Sequence, residues 1–260
     1  MNEKLPLSVT LITRNEEKRI AAAIESVRLI AAEVIVVDSG SSDRTVEIAR
    51  GLGARVEVRA FDGFGQQKNF AHSLASFEWV LNIDADERVS PVLAREIAEK
   101  ISSDRDVDGY ELPRKTWYLD RWVMHCGWYP NYLLRLCRKQ GSFWTEPPIH
   151  ESLRVRGRVG RFSEPLEHRS FPDQRSHILK NIEYAAHARE ALARKGRSAT
   201  WFDLVLRPIW KFFGIYILKK GFLDGRAGFF IAVHSAYALF LRYTYLYEQT
   251  LEDSSHRQHP

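Results

Sequence analysis

Cysteine is nearly absent from the chain, which holds only Cys126 and Cys137. They form no CxxC pair and have no histidine pair at zinc-ligand spacing, so a zinc module and a secreted disulfide framework are both excluded. The expectation is two reduced thiols in a cytosolic compartment. Also missing is any uncharged apolar stretch of the roughly 18 residues that a membrane span needs. The apolar run Leu5–Ile12 is short and is followed at once by charge, so it reads as a strand rather than a signal peptide. No glycine precedes Gly40. The first strand therefore opens neither a GxGxxG dinucleotide loop nor the Gly-rich loop of a nucleotidyltransferase, and no P-loop occurs. No long-period repeat, low-complexity segment or RNA-recognition module is present. Nucleic acid is thus not an expected partner, although the net charge is +5.

At 260 residues, 45% hydrophobic and 27% charged, the composition is globular, and the length fits one large α/β domain with or without an appendage. Ser8–Thr13 reads as a buried strand, and Ile20, Ala23, Ile24, Val27 and Ile30 recur at helical spacing. Val34–Val37 is a β-branched run that stops at Asp38. Ser42 or Asp43 can cap the following helix Thr45–Leu52, which would leave Asp38 free. A strand Arg55–Val58, a helix near Gln66–Ser76, a strand Trp79–Ile83 and a helix opened by Ser90-Pro91 complete a β-α-β-α-β-α-β series. Apolar strands without alternation predict a mostly parallel sheet flanked by helices. Ligands bind such sheets outside the carboxyl ends of the strands, where the polar clusters Thr13-Arg14-Asn15-Glu16, Asp38-Ser39-Gly40 and Asp84-Ala85-Asp86 fall. The middle of the chain, 109–169, is aromatic and basic with weaker periodicity, and contains one expected strand in YLLRLCRK.

Asp84-Ala85-Asp86 carries the sharpest chemical signal. Two carboxylates at a strand end suit a hard divalent cation bridging a diphosphate leaving group. An isolated DxD is more often a solvated acidic turn, but this one follows an apolar strand and has a second acid, Asp38, at a neighbouring strand end. Asp38 could accept hydrogen bonds from a ribose or uracil. Glu151, after Pro147-Pro148, is either a surface charge or a general base.

Taken together, LITRNEE, VIVVDSGSSDRT, GQQKNFA and WVLNIDADE, in this order over roughly the first 90 residues, resemble the inverting family 2 glycosyltransferases of GT-A (Rossmann-like) fold. IHESL resembles the family segment holding the catalytic base. KKGFLDGRAGFF and the chain's length are similar to small lipopolysaccharide inner-core β-1,4-glucosyltransferases. The resemblance implies that Thr13, Asn15 and Glu16 line the nucleotide pocket, that Asp38 contacts uridine, and that Lys68 approaches the nucleotide or diphosphate. It also implies that Asp84 faces the ribose or sugar, that Asp86 ligates Mn2+ or Mg2+, and that Glu151 is the base. His168, like His150, could complete a metal site or bind diphosphate, and His125 is weaker. Trp117, Trp122, Trp128 and Trp144 are more readily core aromatics than sugar platforms. The implied partners are a UDP-sugar donor and a lipid-linked saccharide acceptor.

The expected division is a catalytic domain over 1–170, with a nucleotide-sugar half to about 100, and a helical extension over 171–260. In that extension Arg194, Lys195, Arg197, Arg207, Lys211, Lys219, Lys220 and Arg226 interleave with Trp201, Trp210, Phe212, Phe213, Tyr216 and Phe222. Such a mixture suits an amphipathic element on an anionic membrane surface, here the inner face of the cytoplasmic membrane. The plainer alternative is a helical hairpin packed on the catalytic core or on a second subunit in a homo-oligomer. A catalytically dead membrane adaptor is the rival from another class, which the retained Asp38, Asp84, Asp86 and Glu151 disfavour.

Overall fold

Valine and isoleucine cluster in the opening strands because β-branched side chains fill both faces of a covered sheet. In the computed structural model, which describes residues 4–103, 106–146, 151–171, 173–193 and 198–258, these runs form the centre of a mixed sheet. The chain divides into two compact units.

The first unit comprises the chain to Lys115 together with Pro130–Arg169. It opens with β1 (Leu5–Thr13), α1 (Ile20–Val27), β2 (Ala31–Asp38), α2 (Thr45–Gly51), β3 (Arg55–Val58), α3 (Phe64–Ser73) and β4 (Trp79–Asn82). A two-residue strand β5 (Glu87–Arg88) and α4 (Pro91–Ser103) follow. The Ser90 hydroxyl accepts from the Leu93 amide at 3.2 Å, capping α4 where Ser90-Pro91 predicts its start. Strands β1 to β4 pair in parallel in the order β3-β2-β1-β4. The order reverses beside β1, so the crevice of an open α/β sheet lies at the carboxyl ends of β1, β2 and β4.

Beyond β4 the sheet continues through two antiparallel pairings. The long strand β6 (Gly109–Tyr118) pairs through its first part with β8 (Asn131–Arg138), and β8 pairs with β4. Short strands β9 (Ser142–Trp144), β10 (Leu153–Val155), β11 (Val159–Arg161) and β12 (Leu166–His168) complete this unit. Between β6 and β8 lies β7 (Arg121–Val123), which belongs to the second unit. The core of the first unit is fully buried and continuous, running through Leu7, Val9, Ile24, Val36, Leu81, Leu93, Leu112 and Leu136.

The second unit combines Thr116–Tyr129 with the chain from Ser170 onward. Its helices are α5 (Gln174–Ala193), α6 (Trp201–Phe213) and α7 (Gly225–Gln258), with a π turn at Gly214–Leu218 and a 3-10 turn at Gly221–Asp224 between the last two. Thr200 and Asp203 form a reciprocal capping box at the start of α6. The buried residues of α6 are Asp203 and Leu204, whereas Trp201, Phe202, Val205, Leu206, Ile209, Trp210 and Phe213 are exposed. Tyr118, Val123, Cys126, Ile215, Ala227 and Ile231 form this unit's own core. Among the described residues no helix is long and apolar enough to cross a membrane.

Candidate active site

The loops after β1 and β2 are latched to one another. The amides of Asn15, Glu16 and Glu17 donate to the side chains of Ser41, Thr45 and Asp43 at 2.8, 2.7 and 3.2 Å. In return the Asn15 side-chain oxygen accepts from the Ser42 amide at 2.8 Å. Asn15 holds a left-handed backbone, φ 56°, which asparagine tolerates better than most residues. Asp38 is fully buried. One of its oxygens accepts from the Gly40 and Ser41 amides at 3.0 and 2.7 Å, and the other from the hydroxyls of Thr13 and Ser41. This corrects the expectation of a free Asp38. Asp43 does serve the start of α2, accepting from the Thr45 amide. A carboxylate has about four lone-pair sites, however, and Asp38 meets three donors from its own loop and a fourth from Thr13.

The loop after β4 is organised by full charges. The Glu87 carboxylate turns back to accept from the Asp84 amide at 2.9 Å. Arg135, rising from β8, donates to Asp84 at 2.6 Å and to Glu87 at 2.9 Å, and Arg114 reaches Glu87 at 3.4 Å. Burial pushes the Asp84 carboxyl up, but Arg135 and then Lys68 outweigh it and hold the group well below the usual carboxylate range. Burial likewise pulls on Arg135, yet its two carboxylates keep it firmly protonated. Asp86 lies 3.4 Å from His168 Nε2, and its backbone carbonyl accepts from the Arg169 amide at 2.9 Å. Burial raises the Asp86 carboxyl, and His168 more than offsets this, leaving it below its ordinary value. Glu16 pairs with Arg19 at 3.2 Å, and burial pushes its carboxyl up, with the nearby charge of Asp86 adding to the effect.

A third element brings in the segment around Glu151. On α3, Gly65, Lys68, Asn69 and His72 share one face at helical spacing. A Cβ on Gly65 would lie 2.2 Å from the Thr145 carbonyl oxygen, so only glycine permits this approach. Asn69 clasps Trp144 from both sides, donating to its carbonyl at 2.9 Å and accepting from its amide at 2.8 Å. Trp144 therefore lies beneath Lys68, whose Nζ is 4.3 Å from the ring centroid. The same ammonium is 2.7 Å from Glu151 and 3.7 Å from Asp84. Glu151 is anchored by its neighbour, since Ser152 and Thr145 exchange backbone and side-chain hydrogen bonds.

Of the residues singled out by sequence, the structure brings Lys68, Asp84 and Glu151 together in one cluster and Asp86 against His168. Thr13, Asn15 and Asp38 form the adjoining loop frame. His150, Arg194, Lys195 and Arg197 lie outside the described residues. His125 belongs to the second unit, where its Nδ1 faces the buried Asp224 at 3.1 Å. Cys126 and Cys137 are buried free thiols, each pushed up to about 12, first by burial. Sequence reasoning missed Arg135 and Glu87. The signal for Arg135 was an arginine inside the apolar strand YLLRLCRK, because a buried charge requires partners.

Asp86 and His168 place one carboxylate oxygen and one imidazole nitrogen 3.4 Å apart. Among the described residues no group of three or more His, Cys, Asp or Glu side chains could hold a metal. Two protein donors fit a Mg2+- or Mn2+-like cation, which takes its remaining ligands from phosphate oxygens and water. Asp84 is already matched by Arg135 and Lys68.

Residues 8–155 match the model of glycosyl transferase family 2. An uncharacterized glycosyltransferase of Rickettsia conorii is 34% identical over 273 residues, spanning 98% of this chain and 95% of that protein. The lipopolysaccharide core biosynthesis glycosyltransferase LpsC of Rhizobium meliloti is 28% identical over 262 residues, spanning 96% and 94%. Among solved structures, S. aureus TarS 1-349 in complex with UDP-GlcNAc is 15% identical over 96% of this chain and 92% of that one, with a TM-score of 0.47.

Proposed function

The chain belongs to glycosyl transferase family 2, with the GT-A fold, and from that membership we propose that it transfers glucose from a UDP-sugar to a lipid-linked saccharide, with inversion at the anomeric carbon. The observation that carries the proposal is the meeting of Lys68, Asp84 and Glu151, which come from three separate segments. In the proposed reaction the acceptor hydroxyl oxygen attacks the anomeric carbon, the bond from that carbon to the diphosphate breaks, and Glu151 takes the hydroxyl proton. Lys68 meets the diphosphate. The loop frame of Thr13, Asn15 and Asp38 shapes the nucleotide side, with Asp38 acting through the loop it fixes, and Glu16 lines the same side. Asp86 with His168 would hold Mn2+ or Mg2+, which when bound neutralises charge developing on the leaving diphosphate.

Lipopolysaccharide inner core is the acceptor favoured by the relative named as a core glycosyltransferase. A lipid-linked acceptor calls for a membrane-facing surface, and the second unit offers one. Trp201, Trp210 and Leu218 are 76%, 71% and 69% exposed, too much large apolar surface to be incidental in water. Exposed Lys211, Lys219, Lys220 and Arg226 accompany them. We assign this face to the anionic surface of the cytoplasmic membrane.

The decisive test replaces Glu151 by Gln and measures transfer with a panel of UDP-sugars. Loss of a general base lowers kcat by about 10² to 10⁴-fold. NMR coupling constants of the wild-type product should report a β-linkage from an α-linked donor. Wild-type turnover by the variant would transfer the role of base to another carboxylate, and an α-linked product would reject inversion.

A further inference from the structure

Resting on the donor site proposed above, we propose that Lys68 is shared between two anions, the Glu151 carboxylate and the donor diphosphate. Donor binding thereby releases the base. The contact of Lys68 Nζ with Glu151 Oε1 is 2.7 Å, and the side chains are only 11% and 18% exposed, so solvent and salt screen the pair weakly. While the ammonium donates to Oε1, it takes one of the carboxylate's lone-pair sites and stands beside the oxygen that the acceptor hydroxyl would approach.

The rest of the ammonium's surroundings point toward the donor side. Asp84 Oδ1 is 3.7 Å away, but Asp84 already has Arg135 at 2.6 Å, so its charge is largely answered. Glu151 has no comparable second cation among the described residues. A diphosphate approaching the acidic loop after β4 therefore meets Lys68 as a cation that must choose between it and Glu151.

The scaffold lets that exchange occur by side-chain motion alone. Helix α3 is fixed against the Trp144 segment by the close approach at Gly65 and by the two-sided clasp of Asn69. Trp144 presents its ring face to the ammonium at 4.3 Å, a resting surface that depends on neither anion. Ser152 and Thr145 hold the backbone beside Glu151. Only the flexible Lys68 stem has to swing. The consequence is an order of events in which the donor binds first and the acceptor hydroxyl is activated afterwards.

A thermodynamic cycle tests this without relying on turnover. Isothermal titration calorimetry with UDP and Mg2+ is run on the wild type, Glu151→Gln, Lys68→Met and the double variant. If Glu151 competes for Lys68, Glu151→Gln tightens UDP binding about tenfold. The same substitution in the Lys68→Met background then changes the dissociation constant by no more than about twofold. An unchanged constant for Glu151→Gln overturns the exchange while leaving the donor site intact. Equal tightening in both backgrounds also overturns it, because it reports direct repulsion between Glu151 and the diphosphate. Failure of UDP to bind the wild type with either Mg2+ or Mn2+ removes the donor site itself, and the exchange with it. Lys68→Gln repeats the cycle if thermal melts show Lys68→Met to be unfolded.

Discussion

The two units hold different kinds of polar cluster. In the first, the ionisable groups of the loop after β4 and of the segment facing α3 are paired with opposite charges: Asp84 and Glu87 with Arg135, and Glu151 with Lys68. In the second, a central buried polar cluster consists of neutral groups. The Tyr118 hydroxyl lies 2.8 Å from His177 Nδ1 and 3.4 Å from His234 Nδ1, and the two ring nitrogens are 3.0 Å apart. The second unit also leaves large aromatics in the open, Trp201 and Trp210 above all. Charge held in reserve suits a site that must meet a diphosphate and move a proton. An exposed apolar face suits a surface made to lie against something else.

The largest effect should come from the charged side of the contrast. Asp86→Ala is expected to lower transfer by about 10³-fold or more, because loss of metal binding forfeits several kcal/mol of charge stabilisation. Thermal melts should show the variant folded, since Asp86 is not in the apolar core. Transfer should vanish in chelator and return with Mn2+ or Mg2+. Undiminished activity in excess chelator would sink the metal assignment.

Arg135→Met tests what the charges contribute to stability. It strands Asp84 and Glu87 without their main counter-ion, and breaking a buried pair in this way costs about 3–5 kcal/mol. Urea unfolding measures the loss. A change within experimental error would mean that the two acids are solvated and the network ornamental.

Acid tests the neutral cluster. Burial, then the neighbouring His234 and Lys180, push His177 down to about 4, and burial lowers His234 as well. The folded state therefore resists protons that the unfolded chain, with histidine near 6.5, accepts. Stability contributed by the neutral rings is complete above about pH 6.5. It declines as pH falls from there toward 4, by up to about 1.4 kcal/mol per pH unit for one histidine. Carboxylates elsewhere also titrate, so the comparison is with His177→Phe, whose acid slope over this window should be shallower. Parallel slopes would show that His177 is charged in the folded unit.

The smallest effect is expected on the exposed face. Charge reversal at Lys211, Lys219 and Lys220 should weaken binding to anionic vesicles by about 1 kcal/mol per base, and rising salt should weaken wild-type binding. Hydrolysis of the sugar nucleotide, assayed separately, should be spared. Co-sedimentation measures the binding, and wild type left in the supernatant at low salt would remove the membrane from the proposal.

What was legible in the sequence follows from the same physics. The strands β1, β2 and β4 are mostly apolar runs bounded by polar turns, so period and punctuation agreed. Strands β9 to β12 have three residues each, too short for any period to register. The engagement of Asp38 is not legible from a count of side-chain caps, because the amides of Gly40 and Ser41 and the hydroxyls of Thr13 and Ser41 hold it. GQQKN was visible as a motif. The need for glycine at its head came only with the Thr145 carbonyl that approaches it from a distant segment. The apolar and basic mixture of α6 was plain in the sequence, but not which of its faces is left uncovered.

The latching of the β1 and β2 loops has a practical consequence for anyone wishing to change the donor. The amides of residues 15 to 17 are received by side chains at 41, 43 and 45, and Asn15 is spent on Ser42. Neither loop is a separable part. A transplant of one from a relative with another nucleotide preference would leave three amides without acceptors, or three acceptors without amides, and the graft should fail to express well. The exchangeable cassette is the pair, taken together with the helix starts that carry them.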